Sequence, residues 1–330
     1  MYIPPFTVST EAINLIAEIS AQIERYAIRL EQTDGLLLRK ANRIKTIHSS
    51  LAIEGNTLSE GDVRDIIDGK NVVAPIKQIQ EVKNAIATYE LYPKLDPFSV
   101  KDLLKAHGIM MQALVNDAGQ FRRGGVGVYS ENGLVHMAPP AERVPLLMND
   151  LFAWLKSSKD NLLIRSCVFH YEFEFIHPFI DGNGRMGRLW QSLILSRWNP
   201  SFAHLPVENM VYANQQAYYD AIAQSTKLGD CGPFIDFMLG EIQRAVISHK
   251  GAPVKATANV GVNVGANVGV NEQKILNIIA ENDHVTAKQM SEIIGISQRQ
   301  VERLLSSLTK KQIIERVGAD KNGYWRIIER

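Results

Sequence analysis

His177-Pro-Phe-Ile-Asp181-Gly-Asn-Gly-Arg185-Met-Gly-Arg188 concentrates more chemistry than any other stretch of this 330-residue chain. Gly182 and Gly184 can take backbone conformations closed to other residues, so consecutive N–H groups can converge on one concavity. A helix starting near Gly184 would aim its unpaired N–H groups and positive dipole end at the same spot. Arg185 and Arg188, three residues apart, lie on neighbouring positions of its first turns. These features suit a polyanion. Asp181 would repel a phosphate, but it makes sense as an oxygen ligand of Mg²⁺, which bridges phosphates. His177 carries the one side chain whose ordinary pKa of about 6.5 suits proton abstraction near neutrality. Singly, each feature has a plain explanation: a packed loop histidine, a turn, a solvated helix face. Their conjunction points to phosphoryl-type transfer.

Gly182-Asn-Gly184-Arg-Met-Gly187 also fits the dinucleotide pattern G-x-G-x-x-G, and Glu208 follows about 20 residues on. That fingerprint requires a preceding β-strand in a βαβ unit. Residues 162–175 read as helix instead, and no parallel strand follows, so a nicotinamide or flavin role is set aside.

Working outward, 161–198 forms two helical runs broken at Pro178 and the glycines. Residues 10–48 (Ile13, Leu15, Ile16, Ile19, Ile23), 78–92 (Ile79, Val82, Ile86, Tyr89), 99–116 and 142–157 keep helical spacing. Thr57-Leu-Ser-Glu60 has the form of a capping box. Between 119 and 137 the texture alternates around Asn132-Gly133, a hairpin signal closed by Pro139-Pro140. More helix follows to about 250, including 217–224 and 233–248. The fold class is mainly α, with one hairpin in a helical body. Asn259-Val-Gly, Asn263-Val-Gly and Asn267-Val-Gly then repeat with period four and read as a linker. Three further helices and a hairpin over 272–330 give the order of a winged helix-turn-helix, with Thr286 as an N-cap. The expected organisation is an N-terminal helical region (1–95), a core (96–250), a linker (251–271) and the winged helix (272–330).

The motif segment resembles the Fic motif, H-x-F-x-[D/E]-G-N-G-R-x-x-R, with every specified position filled. Ser49-Ser50-Leu-Ala-Ile-Glu54-Gly55-Asn56 is similar to that family's N-terminal inhibitory motif, and 119–140 to its flap hairpin, which aligns the target backbone. The resemblance implies a Fic-type helical bundle that moves AMP from ATP to a Ser, Thr or Tyr hydroxyl of a protein, itself included among the candidates. By carry-over, His177 deprotonates the hydroxyl, Asp181 holds Mg²⁺, and Gly182, Asn183 and Gly184 bind phosphate oxygens. Arg185 and Arg188 neutralise the β- and γ-phosphates, and Phe179 anchors the loop in the core. Glu54 would pair with Arg188 and hold the enzyme self-inhibited; in some relatives such a carboxylate serves AMP removal instead. Tyr212, Asn214, Tyr218 and Tyr219 fall where the family keeps residues around the base, although core packing explains the tyrosines equally well.

A formal charge of +1 excludes a global field towards nucleic acid or membrane. Two cysteines, Cys167 and Cys231, lack metal-ligand spacing and fit a reducing compartment. The N-terminus lacks signal-peptide regions and no run of about 18 apolar residues occurs, so a cytoplasmic protein is expected. In the C-terminal unit, Arg299, Arg303, Lys310 and Lys311 outnumber Glu302 on the third helix, with Lys321 and Arg326 on the wing. DNA contact is one reading of that face and protein docking, including a homodimer, another. A nucleotide-sensing regulator and a phosphate-transferring kinase are the rival classes. The intact His177 argues against the first and the complete motif against the second.

Overall fold

The computed structural model describes residues 2–30, 35–130, 133–248, 270–281, 285–294, 297–311, 313–317 and 324–327. The chain divides into two compact units, Met1–Gly251 and Ala252–Arg330.

The first unit opens with α1 (Thr10–Leu30), α2 (Gly35–Ile53), α3 (Glu60–Ile67), α4 (Ile76–Leu91) and α5 (Val100–Met110). The hairpin β1 (Gly127–Ser130) and β2 (Gly133–Met137) follows, antiparallel, with Gly127 opposite Met137 and a bulge after Val128. Asn132 of the anticipated turn lies outside the described residues. Then come α6 (Val144–Ser157), α7 (Leu162–Ile176), α8 (Asn183–Trp198), α9 (Val207–Ala213), α10 (Gln215–Leu228) and α11 (Gly232–Ser248).

α7 and α8 form the centre. α7 buries Leu163, Cys167, Phe169, Tyr171, Phe173 and Ile176, which point in all directions around its axis. A helix apolar on every side belongs in a core rather than on a surface. Each such large side chain contributes roughly 1.5–3 kcal/mol by leaving water. Phe169 and Phe173 stack, Phe152 meets Phe169 edge-on, and Trp190 of α8 donates its indole N–H to Pro97 O at 3.0 Å. Burial pushes the Cys167 thiol up to about 12, which makes it inert packing.

Two local expectations shift by a position or two. Ile13 points outward at 59% exposure, and the buried stripe of α1 runs through Ala12, Leu15, Ile19, Ile23 and Tyr26. The capping box belongs to Ser59 and Asp62: Ser59 Oγ accepts from Asp62 N and Asp62 Oδ2 from Ser59 N. With Ser59 at the cap, the third helical position is Asp62, so Thr57 and Glu60 do not form the pair.

The second unit contains α12 (Val270–Glu281), α13 (Ala287–Ile294), α14 (Gln298–Lys310), β3 (Ile314–Val317) and β4 (Tyr324–Ile327). Thr286 caps α13 and Ser297 caps α14, each in a reciprocal box with the glutamine three residues on. Its own core joins Ile275, Leu276, Met290, Val301, Leu305 and Ile314. This is a winged helix-turn-helix. The Asn-Val-Gly repeats of the anticipated linker lie outside the described residues.

Candidate active site

α7 ends at His177, whose backbone is left-handed (φ +49°). A non-glycine residue there stores strain of roughly 1–3 kcal/mol and needs the surroundings to hold it. Arg122 does much of the holding. Its guanidinium, 3% exposed, donates to the carbonyls of His177 (2.7 Å), Gly124 (2.8 Å), Pro139 (2.6 Å) and Ile176 (3.2 Å), while its backbone N–H donates to Pro178 O. One side chain thereby ties both feet of the hairpin to the histidine loop. His177 Nδ1 lies 3.3 Å from the Glu174 carbonyl oxygen. A carbonyl only accepts, so this contact puts the neutral ring's proton on Nδ1 and its lone pair on Nε2.

Two further residues brace the turn from below. Asn183 spends its side chain on Phe179, accepting from its N–H and donating to its C=O, both at 2.9 Å. What Asn183 has left for an incoming phosphate is its backbone N–H and the second N–H of its amide. His107 stacks on Phe179 with centroids 3.6 Å apart. Its Nδ1 accepts from Gly119 N (2.8 Å), so Nε2 carries the proton donated to Asp181 O (3.0 Å). Burial holds that imidazole down at about 4, in keeping with a neutral ring. Phe179 is fully buried.

Gly182 caps α8 with φ +84°, and a Cβ there would strike Met111 Sδ at 2.7 Å. The helix geometry leaves the N–H groups of Asn183, Gly184 and Arg185 without intrahelical partners, aimed along the axis. Asp181 Oδ1 accepts from Gly182 N (2.5 Å) and Arg185 Nη2 (3.1 Å), and half its side chain is exposed. A single exposed carboxylate at the mouth of an anion nest fits Mg²⁺, which takes its remaining ligands from phosphate and water. Among the described residues no three His, Cys, Asp or Glu side chains assemble a protein-only metal cage.

Arg188 is buried one turn further on. It donates to Ser50 O (2.9 Å), Ser50 Oγ (3.4 Å) and Glu54 Oε1 (2.8 Å). Glu54 reaches this position because α2 terminates just before it. Gly55, at φ +86°, donates to Ala52 O, and Asn56 donates to Leu51 O. That pair of bonds is a Schellman motif, which needs the left-handed residue glycine supplies. The carboxylate ends over Gly184, where any Cβ would collide with it.

Behind Arg188 stand two buried acids. Glu174 lies with Oε2 3.8 Å from His177 Nδ1 and Oε1 3.9 Å from His170 Nε2. Burial pushes its carboxyl up to about 8, with Arg188 pulling down and Glu54 pushing further up. Glu208, hydrogen-bonded by Ser192 and Tyr89, is raised by burial to about 7. His170, held neutral by burial, donates from Nδ1 to Gln191 Oε1 (2.6 Å) and accepts from Tyr218 OH (3.1 Å).

Tyr218 thus belongs to the buried aromatic cluster with Phe234 and Tyr219. Tyr212 is 42% exposed and meets His48 of α2 edge-on. Asn214 donates to Glu241. The four residues do not share one environment: Tyr212, beside α2, and Asn214 are exposed, Tyr219 is half-buried, and Tyr218 is core. In the second unit Arg299, Arg303 and Lys310 are exposed, whereas Lys311 Nζ pairs with Glu272 of α12 at 2.9 Å. Lys321 and the Arg326 side chain lie outside what is described.

Sequence reasoning missed Arg122, His107 and Glu174. Their roles depend on partners up to 74 residues away, and no local pattern marks them.

A helical domain with a glycine turn between two buried helices, in a chain that also carries a winged helix, defines the class. A model of the Fic/DOC family matches residues 97–195, and one described as winged helix-turn-helix DNA-binding matches 270–330. A Fic family protein from Desulfovibrio desulfuricans G20 is 40% identical, with a TM-score of 0.75 over 100% of this chain and 99% of that one. Protein adenylyltransferase Fic of Aedes aegypti is 29% identical over 237 residues, 68% of this chain and 45% of its own length. Protein adenylyltransferase fic-1 of Caenorhabditis elegans is 30% identical over 65% of this chain and 42% of its own. The chain thus spans less than half the length of these two relatives. It belongs to the Fic family.

Proposed function

We propose that this chain is a protein adenylyltransferase held in check by Glu54. One observation carries the reading: His177, the Gly182–Gly184 turn, Arg185 and Arg188 converge on one end of α8, with the Glu54 carboxylate bonded to Arg188 in the midst of them. The target hydroxyl loses its proton to His177 Nε2 as its oxygen attacks the α-phosphorus of ATP. The bond from that phosphorus to the bridging oxygen breaks, and pyrophosphate departs. The α8 N–H groups bind phosphate oxygens, and Arg185 and Arg188 offset the charge that develops on the leaving group. Asp181 would hold Mg²⁺, which when bound adds charge neutralisation across the phosphates. Glu54 occupies the guanidinium edge that a γ-phosphate needs, so ATP and Glu54 compete.

The test is incubation of wild type, Glu54→Gly and His177→Ala with Mg²⁺, a lysate and either α- or γ-labelled ATP. Alpha label on protein, strongest in Glu54→Gly and absent in His177→Ala, supports the reading. Gamma label alone makes the chain a kinase, and loss of label from premodified protein makes it an eraser. For the second unit, the exposed Arg299, Arg303 and Lys310 on α14 support DNA as its partner. A salt-dependent gel shift with the isolated unit tests that.

A further inference from the structure

A cavity of about 610 Å³ opens at the end of α2 remote from Glu54. It lies between the first half of α2, the C-terminal ends of α3 and α4, and the chain around Pro93 and His204. That volume suits a small organic ligand. The Tyr89 and Tyr92 rings stack within 13° of parallel in its wall. Arg39, Lys40 and Arg43 supply three cations on successive turns of α2, against two carboxylates, Asp68 and Glu90. The His204 pKa is lowered by burial and then by the charge of Arg39.

Arg43 is the decisive residue. Its side chain is partly exposed, its Nη2 makes two bonds of 3.3 Å, to Ile86 O and Glu90 Oε1, and its Nε is buried with no hydrogen-bond partner among the described residues. A buried guanidinium N–H left unpaired is costly, and an anionic oxygen that draws the partly exposed guanidinium round into the cavity satisfies it. An aromatic wall beside a cationic rim selects an acid with a flat ring attached.

We propose that this cavity binds a small aromatic anion, such as an aryl phosphate or carboxylate, and that its occupant acts on Glu54 through α2. Arg43 lies about 15 Å from the last residue of the helix, at 1.5 Å per residue. Lys40 ties α2 to Asp68 at 2.7 Å, and Arg43 ties it to α4. A ligand that recruits these cations loosens both ties on the helix that ends in the Glu54 cap. A second connection runs through the wall: Tyr89 OH reaches Glu208, the buried acid beside Arg188. The regulatory half rests on the Glu54–Arg188 reading above; the binding half does not.

The experiment uses the full chain and phenyl phosphate as the probe, with benzyl alcohol as the uncharged control, read by ligand-observed NMR. Wild type should bind phenyl phosphate and not benzyl alcohol. Binding should weaken at least about tenfold in Arg43→Met, with Ala203→Phe at the mouth a second, independent block; melting curves verify that both variants fold. It should persist with saturating α,β-methylene-ATP, and bound phenyl phosphate should shift the affinity for that nucleotide by the same factor as the reverse titration. Absence of binding, indifference to both substitutions, or simple displacement by the nucleotide overturns the site. Binding with unchanged nucleotide affinity overturns the link to Glu54. No readout uses AMP transfer, so a chain that binds as described but transfers nothing would sink only the function proposed above.

Discussion

Under the proposed function the chemistry turns on Glu54 and His177, and substitutions there predict opposite effects. Glu54→Gly frees an Arg188 edge and should raise AMP transfer by about tenfold or more, equivalent to roughly 1.4 kcal/mol of released competition. His177→Ala removes a general base and should cost about 10²–10⁴ in rate, measured with the Glu54→Gly background to keep the signal visible. Glu174 makes a prediction of a different kind. Its folded-state pKa of about 8 stands above the ordinary 4.5, so the folded chain binds the extra proton between those values. Stability from this group is full below about pH 4.5 and is lost as pH rises through about 8. Glu174→Gln should therefore gain on wild type between pH 6 and 9 in melting temperature; a constant difference across that range would refute the assignment. Arg122→Ala strands four carbonyls at the base of the hairpin. It should lower stability by about 3 kcal/mol or more, and Arg122→Lys should not rescue it, since one ammonium lacks the fork.

At the scale of elements, α2 is a lever with its working group at the tip. Its end is set by the left-handed Gly55, so Gly55→Ala should cost about 1 kcal/mol and loosen the Glu54 cap. Lower melting temperature with higher AMP transfer is the expected pair of changes. Much of this level was legible beforehand. The breaks at Pro178 and the glycines, the hairpin, and the capped helices of the second unit follow from turn and cap chemistry acting within a few residues. The errors were of the same range: Ile13 outside the buried stripe, and a capping box placed two residues early. α1 has several apolar positions that fit a helical period, and only packing selects the stripe through Ala12, Leu15 and Ile19.

For the whole molecule, the residues of the proposed site all belong to Met1–Gly251. A chain ending at Gly251 should bind ATP within about twofold of the full chain, since a unit with its own core can fold alone. The second unit presents three exposed cations without an ion-pair partner among the described residues, Arg299, Arg303 and Lys310, in place of the four visible in the sequence, because Glu272 pairs with Lys311. Its DNA affinity should fall with a log–log salt slope of about −3, and Lys310→Ala should reduce that slope by about one while Lys311→Ala leaves it nearly unchanged.

The sequence by itself determined the residues of the anion turn, the helices flanking it, the glycine that ends α2 and the fusion to a winged helix. Each depends on forces that act over one or two turns: backbone hydrogen bonds, caps and the φ range of glycine. The resemblance to the Fic family already implied that Glu54 meets Arg188 across 134 residues of chain, and the two are bonded at 2.8 Å. Only the tertiary structure decided that Arg122 and His107 brace the histidine loop. It also decided that Asn183 spends its amide on Phe179 and that Glu174 and Glu208 are buried acids. Burial and long-range pairing arise when distant segments exclude water from one another, and residue order alone does not state which segments those are.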